Sequence, residues 1–166
     1  MESIYMLRSK EFLKARRELE KNLNIKLKII NRRVTVEGDS VDEYEAMMVL
    51  GAINFGFSAL KALQLLDEET MFKKIHIHEH TKRNLKDVLS RLIGTHGKTK
   101  EVIEQITGCD IVIGESDVGI ICDSESIDVV TTAIVNIIKG SKQSNIYAYL
   151  EKMNKVKSVE SLGLKK

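Results

Sequence analysis

The second half of the chain changes its hydrophobic period several times, and each change marks a predicted element. Residues 73–79 alternate polar and apolar side chains, which predicts a strand. Apolar residues then recur at helical spacing over 81–92 and again over 98–107, with Gly94 and Gly97 between the two predicted helices. The glycine that directly follows the second helix suits a left-handed helix cap.

Two short alternating stretches, 109–113 and 118–122, predict a β-hairpin with its turn centred on 115–116. This turn pairs Ile113 with Val118, Ile111 with Ile120 and Cys109 with Cys122. All six side chains then share one face, which must be the buried one. A last helix follows, and Asp123 or Ser124 can cap its start. The predicted order is β-α-α-β-β-α, with a Gly-x-x-Gly turn between the first two helices.

The chain contains this unit twice. Shifted by 84 positions, residues 10–56 lie over residues 94–140 without a gap, and the periodicity changes at matching places. In the first copy, residues 10–13 stand where the second has its glycine turn, and they contain no glycine. Either the segment SIYMLR (3–8) supplies a strand and the first helix is missing, or the start is shortened in some other way. Residues 57–69 predict a short amphipathic helix that joins the copies.

The amino-acid composition indicates the broad class of protein. The 166 residues are 43% hydrophobic and 30% charged, as in an ordinary soluble domain. No window approaches about 18 uncharged apolar residues, and the start lacks the pattern of a signal peptide. We therefore expect a cytoplasmic protein without a membrane partner, and the presence of only two cysteines suits a reducing cytosol.

Charge is strongly segregated although the net charge is only +2. Residues 8–33 carry ten basic and three acidic side chains, whereas residues 37–69 carry one basic and eight acidic ones. Residues 82–100, around the glycine turn, carry six basic residues and one acidic residue. Basic blocks of this kind attract phosphate groups, although many charge runs are only solvated faces.

The stretch RLIGTHGKTKEVIEQITG (91–108) contains Gly97-Lys98-Thr99, which is similar to the end of a nucleotide-binding loop. A Walker loop requires a further glycine five residues before Gly97, because its backbone N–H groups must surround the phosphates. That position is Leu92, and a helix rather than a strand precedes the turn. The pattern therefore argues against an ATPase or a GTPase.

Helix, Gly-x-x-Gly, helix and hairpin is the arrangement of the KH domain, which the second copy resembles along its full length. The resemblance implies a backbone that approaches a sugar-phosphate chain closely and holds about four nucleotides of a single strand. The hydroxyl of Thr95 and the imidazole of His96 would donate to phosphate oxygens. The expected apolar wall for the bases is Ile93 with Ile111 or Val112 opposite. The expected RNA-binding residues are Arg91, Ile93, Gly94, Thr95, His96, Gly97, Lys98 and Lys100.

Two tandem copies, of which the first lacks the glycine loop, resemble the archaeal and eukaryotic partner-of-Nob family. The linker GFSALKALQLLDEE (56–69) and the tail GSKQSNIYAYLEKM (140–153) carry the same resemblance. This resemblance implies a factor in small-subunit rRNA maturation that binds near the 3′ end of the rRNA precursor. It also implies contact with the Nob endonuclease and, in archaea, with the alpha subunit of initiation factor two.

The sequence thus predicts an α+β protein of two tandem type I KH-like domains, 1–69 and 70–166, the first lacking the Gly-x-x-Gly loop. We expect an RNA-binding assembly factor that is not an enzyme and holds no cofactor. The alternative is a protein-binding scaffold with a vestigial RNA groove, because the first copy lacks the glycines and the hairpin tip is acidic.

Two other side-chain groups suggest different chemistry. His76, His78 and His80 would lie on one side of the predicted strand, where such a row can bind zinc or nickel. An exposed strand face is the simpler interpretation, because the sequence offers the row no further ligand. Cys109 and Cys122 fit the core as small apolar residues, while a disulfide between them would need oxidising surroundings and suitable geometry.

Overall fold

Two three-stranded sheets organise the chain, one in each of two units. The computed structural model describes residues 1–161. The N-terminal unit is Met1–Phe72, and the C-terminal unit begins at Lys73. No helix among these described residues is long and apolar enough to cross a membrane.

The N-terminal unit contains one helix between its first two strands. Its elements are β1 (Glu2–Tyr5), α1 (Ser9–Asn22), β2 (Ile25–Ile30), β3 (Arg33–Gly38), α2 (Ser40–Phe55) and α3 (Ala59–Leu63), followed by a 3-10 turn (Gln64–Leu66). Strand β3 lies between β1 and β2 and is antiparallel to both. Helix α1 buries Phe12, Ala15 and Leu19, which recur at helical spacing along one face.

The C-terminal unit has two helices at the corresponding place. Its elements are β4 (Thr70–His76), α4 (Leu85–Ile93), α5 (Lys98–Thr107), β5 (Asp110–Ile113), β6 (Asp117–Asp123), α6 (Ile127–Ile138) and α7 (Gln143–Ser161). Strand β4 begins three residues before Lys73 but belongs to the sheet of this unit. Strand β6 lies between β4 and β5. The core collects buried side chains from the sheet and the helices, among them Ile77, Leu92, Ile103, Ile120 and Ile134.

The hairpin register is confirmed. Strands β5 and β6 are antiparallel and pair Ile113 with Val118 and Ile111 with Ile120. The predicted bounds of α5 are also confirmed, and Gly108 adopts φ 71° and ψ 11° at its end. A left-handed residue is common there because it lets the chain leave the helix while its N–H still bonds a helical carbonyl.

The start of the N-terminal unit follows the first of the two alternatives. A strand is present at Glu2–Tyr5, and only one helix separates it from β2. A shift of 84 positions places α1 over α5, so the helix without a counterpart is α4. The same shift places the start of α3 on the start of α7, and these two helices pack on α1 and α2 and on α5 and α6, respectively.

Several predicted boundaries are wrong. Strand β4 runs from Thr70 to His76 instead of over residues 73–79, and Ile77–Glu79 form a 3-10 turn. Helix α4 begins at Leu85 instead of residue 81. Helix α6 begins at Ile127, and neither predicted capping residue directly precedes it. The Asp123 carboxylate instead accepts a hydrogen bond from the Ser126 N–H at 2.8 Å, which fixes a turn before the helix.

Candidate nucleic-acid interface

Three of the four residues between α4 and α5 have a positive φ angle. Gly94 has φ 77° and ψ 174°, His96 has φ 53° and ψ 32°, and Gly97 has φ 74° and ψ 13°. Thr95, the exception, lies between them. Such angles favour glycine, and the combination at Gly94 is almost restricted to it. This sharp turn ends α4 at Ile93 and starts α5 at Lys98.

The two glycines differ in their surroundings. A Cβ atom at Gly94 would lie 2.6 Å from the Thr99 backbone nitrogen and would also collide with the Thr99 hydroxyl. A Cβ atom at Gly97 would meet no other atom within 4 Å. Gly94 is therefore required by the fold itself, whereas Gly97 leaves a bare stretch of backbone that a ligand can approach.

Polar side chains surround this bare backbone. Thr95, His96 and Lys98 are exposed, and the N-terminal end of α5 carries the positive end of the helix dipole. The N–H groups of Gly97 and Lys98 are bonded within the turn, to the carbonyls of Gly94 and Thr95. A cleft of about 380 Å³ opens beside the turn. Its lining residues are Ser90, Arg91, Gly94, Thr95, Lys98, Thr99 and Gln143.

Two of the predicted basic residues are held by the protein itself. Arg91 Nη2 donates to the Ser141 carbonyl, while Arg91 Nε is buried without a partner. Lys100 Nζ lies 3.1 Å from Glu104 Oε1. Of the three basic residues that were predicted to bind RNA, Lys98 is therefore the most accessible.

The apolar wall is only partly as expected. Ile93 is 40% exposed at the end of α4, and Val112 is half-buried. Ile111 is 2% exposed and belongs to the core, so it is not available to a base. The hairpin register explains the difference, since the side chain of Ile111 faces inward together with that of Ile120.

Sequence reasoning did not identify Thr99 and Gln143 as parts of the interface. Thr99 is the one buried polar residue recorded in the described part of the chain, and it packs against Gly94. Its spacing of four from the buried Ile103 is a signal that could have placed it on the inner face of α5. Gln143 lies about fifty residues away in sequence, and no local pattern connects it to the turn.

The three histidines do not form a row. Only His76 lies on the strand, and its Nδ1 is 2.9 Å from Asp117 Oδ1. His78 follows in the 3-10 turn, and His80 lies beyond it. The region that the structure describes contains no group of three or more His, Cys, Asp or Glu side chains that could hold a metal ion.

The cysteine pair at the start of the hairpin is a disulfide. Cys109 and Cys122 are bonded through their sulfur atoms, with their Cα atoms 4.7 Å apart. The predicted pairing and the burial of both residues in the core are confirmed. The two residues form the disulfide that the sequence left as the alternative, not a pair of unbonded apolar side chains. The register explains this, because it places the two residues opposite each other at the end of the ladder.

Comparison with known proteins decides the family. Residues 70–155 match the family model of the second KH domain of PNO1, described as a eukaryotic-type KH domain (KH-domain type I). The chain belongs to the partner-of-Nob (PNO1) family. Its mixed α/β architecture is accordingly a KH-like fold, and the resemblance drawn from the sequence is confirmed.

Relatives of this partner-of-Nob protein occur in archaea and eukaryotes. The chain is 26% identical over 145 residues to a KH domain-containing protein of Methanocaldococcus jannaschii, covering 82% of this chain and 64% of that protein. It is 30% identical over 138 residues to the RNA-binding protein pno1 of Drosophila pseudoobscura, covering 80% and 58%. The chain therefore spans less than two thirds of the length of either curated relative.

A solved structure is similar over nearly the whole chain. It is part of the a/eIF2alpha–aDim2p–rRNA complex of Pyrococcus horikoshii. The TM-score is 0.79 at 26% identity, and the alignment covers 93% of this chain and 93% of that one.

Proposed function

We propose that this protein binds single-stranded RNA through the turn Gly94–Gly97 of its C-terminal unit. The observation that carries the proposal is the empty space over Gly97, where a Cβ atom would meet nothing within 4 Å. A ribose-phosphate chain can lie against such a backbone, and a KH turn of this kind holds about four nucleotides.

The surrounding groups fit a phosphate ligand. Thr95 and His96 project from the turn and can donate to phosphate oxygens, and Lys98 supplies a positive charge beside them. The positive end of the α5 dipole favours an anion at the same place. Ile93, which is 40% exposed, offers an apolar surface for a base.

We further propose a role in maturation of the small ribosomal subunit, with binding near the 3′ end of the rRNA precursor and assistance to the Nob endonuclease. Membership of the partner-of-Nob family supports this role. The rRNA and a/eIF2alpha named in the complex of the Pyrococcus relative support an rRNA ligand and a contact with the alpha subunit of initiation factor two. In this proposal the protein is cytoplasmic, it is not an enzyme, and the first of two tandem domains, residues 1–69, is a KH domain without its loop.

The experiment is a binding titration of the T95D/H96D double variant with a single-stranded RNA. Two carboxylates facing phosphate should weaken binding at least about tenfold, whereas the fold should be unchanged because both side chains are exposed. The matched control is H78D/T132D, which makes the same exchanges at exposed positions in the turn after β4 and on α6. Unchanged affinity in a folded T95D/H96D variant would contradict the proposal.

A second candidate function is a protein-binding scaffold whose RNA groove is vestigial. The internal contacts of Arg91 and Lys100 favour it, because they reduce the free positive charge at the turn. A scaffold would keep its protein partners after nuclease treatment and would show no RNA binding at moderate salt. An RNA ligand predicts affinity that falls steeply as salt rises.

A further inference from the structure

The N-terminal unit has an unfilled groove on its helical side. The groove has a volume of about 600 Å³ and lies between α1, α2 and the segment from α3 to residue 67. Four leucines line it, of which Leu60 is 79% exposed. Glu18, Glu45 and Asp67 stand among them, and no lysine or arginine is part of the lining. The groove is therefore apolar with an acidic rim.

In the C-terminal unit, a helix lies at the position that corresponds to this groove. Asn22, Leu23 and Glu45 of the groove correspond, after the shift of 84 positions, to residues 106, 107 and 129. In the C-terminal unit those three residues line a cavity of about 420 Å³, and the segment of α7 from Leu150 to Lys157 forms its other wall. Helix α7 continues there for several turns and packs on both α5 and α6.

The N-terminal unit lacks such a continuation. Its counterpart of α7 is α3 with the following 3-10 turn, and this segment ends at Leu66. The chain then leaves to form β4 from Thr70. The second half of α7 thus covers this site in the C-terminal unit and encloses a cavity of about 420 Å³, whereas no helix of the N-terminal unit covers its groove.

The comparison of the two units also indicates the charge of a helix that would bind in the groove. Lys157 of α7 donates to Asp123 Oδ2 at 3.0 Å and to Ser126 Oγ at 2.8 Å. The residues at the positions corresponding to Asp123 and Ser126 in the N-terminal unit are Asp39 and Asp42. A cation at the place of Lys157 would therefore meet two carboxylates instead of a carboxylate and a hydroxyl.

We propose that the groove of the N-terminal unit binds an amphipathic helix of a partner protein. The helix carries an apolar residue at the place of Met153 and a lysine or arginine four residues later, at the place of Lys157. Helix-in-groove binding is a common mode of peptide recognition, and the acidic rim selects a basic helix. This surface is independent of the Gly94–Gly97 turn and does not require RNA binding.

The test uses the full-length protein and a fluorescent, end-blocked peptide with the sequence of residues 147–158, YAYLEKMNKVKS. This segment contains the part of α7 that covers the corresponding site in the C-terminal unit. Anisotropy titrations compare wild type with L60D, which places a charge in the groove. The matched control is L13D, since Leu13 is 59% exposed on α1 and does not line the groove.

The proposal predicts saturable binding to wild type and L13D, and binding at least about tenfold weaker to L60D. A peptide with K152E, K155E and K157E should not bind, and raised salt should weaken binding of the original peptide. Equal binding to wild type and L60D would place the peptide elsewhere, for instance in exchange with α7, and would overturn the proposal. No saturable binding to wild type would also overturn it, as would self-association of wild type that is lost in L60D, because the occupant would then be a second copy.

Discussion

Lys100 and Glu104 form an ion pair on one face of α5, with Lys100 Nζ 3.1 Å from Glu104 Oε1. The other carboxylate oxygen of Glu104 accepts a hydrogen bond from the Ile111 N–H at 3.0 Å. One side chain thus connects a helix that begins at the candidate RNA site with the first strand of the hairpin. It also neutralises a cation near the glycine turn, so under the proposed function it would oppose RNA binding while it supports the fold.

The variant E104Q should separate these two effects. Loss of the carboxylate releases Lys100 and should strengthen RNA binding about twofold to threefold, because one more cation can displace counterions from the RNA. The neutral amide is a weaker acceptor for the Ile111 N–H, so the free energy of unfolding should fall by about 1 kcal/mol. The control is E101Q, on the same helix, where the exposed Glu101 accepts a hydrogen bond from Gln105 at 3.3 Å. An equal gain in RNA affinity in both variants would show that net charge, not the pair, is responsible.

The two glycines of the turn should respond differently to alanine. In G94A the methyl group meets the Thr99 nitrogen and the backbone is strained, so the C-terminal unit should lose about 2–3 kcal/mol of stability. In G97A the methyl group points into open space, and only the left-handed conformation costs stability, about 1 kcal/mol.

RNA affinity gives the complementary result. G97A should remain folded but bind RNA about tenfold more weakly, since the methyl group stands where the ribose-phosphate chain would lie. Urea unfolding and RNA titration of both variants measure the two effects. A folded G97A variant with wild-type affinity would mean that the ligand does not approach this glycine.

Much of the fold around the site follows from the sequence for identifiable reasons. The β5–β6 register was predictable because Ile111, Ile113, Val118 and Ile120 leave one pairing that buries them together. The bounds of α5 were predictable because glycines flank it on both sides. The end of β4 was not predictable, because the 3-10 turn after it continues the alternating pattern of the strand. In that turn Ile77 is fully buried and His78 is exposed.

The site was predictable where it depends on neighbours in sequence and not where it depends on distant contacts. The positions of Thr95, His96 and Lys98 follow from the turn itself. The hydrogen bond from Arg91 to the Ser141 carbonyl joins residues fifty positions apart. A count of charges along the sequence cannot show this bond and therefore treats Arg91 as a free cation. The pair of Lys100 and Glu104 has the i,i+4 spacing of a helical ion pair and was available as a signal.

The disulfide between Cys109 and Cys122 should stabilise the C-terminal unit. It closes a loop with a sequence separation of 13, for which chain entropy predicts about 3 kcal/mol. Urea unfolding with and without a reductant should show a loss of about that size, whereas a C109A/C122A variant should not respond to the reductant. If the cysteines of the unreduced protein react with iodoacetamide after denaturation, the bond is absent and the expected loss disappears.

Acid should loosen the contact between α7 and the start of α6. Burial acts to raise the pKa of the Asp123 carboxyl, but hydrogen bonds from Lys157 and from the Ser126 N–H and hydroxyl outweigh it and leave the pKa below its ordinary value. A lowered pKa in the folded state means that the stabilisation is present above the unfolded pKa of about 3.9 and is lost as the pH falls through the folded value.

The measurement is the free energy of unfolding of wild type and D123N between pH 6 and pH 2.5. The difference should be small, at most about 1 kcal/mol because the pair is partly exposed, and should shrink as the pH falls below about 4. E125Q is the control, since Glu125 is exposed in the turn before α6. A difference between wild type and D123N that does not change with pH would contradict the assigned role of the carboxylate.

The central claim is that single-stranded RNA lies against the backbone of the turn between α4 and α5. Titration of the ¹⁵N-labelled full-length protein with a short single-stranded RNA at low salt tests it most directly. We predict that the amide signals of residues 95–99 shift most, with smaller shifts at Ile93 and Val112. Saturable RNA binding that leaves the signals of residues 95–99 unchanged while others shift would contradict the claim.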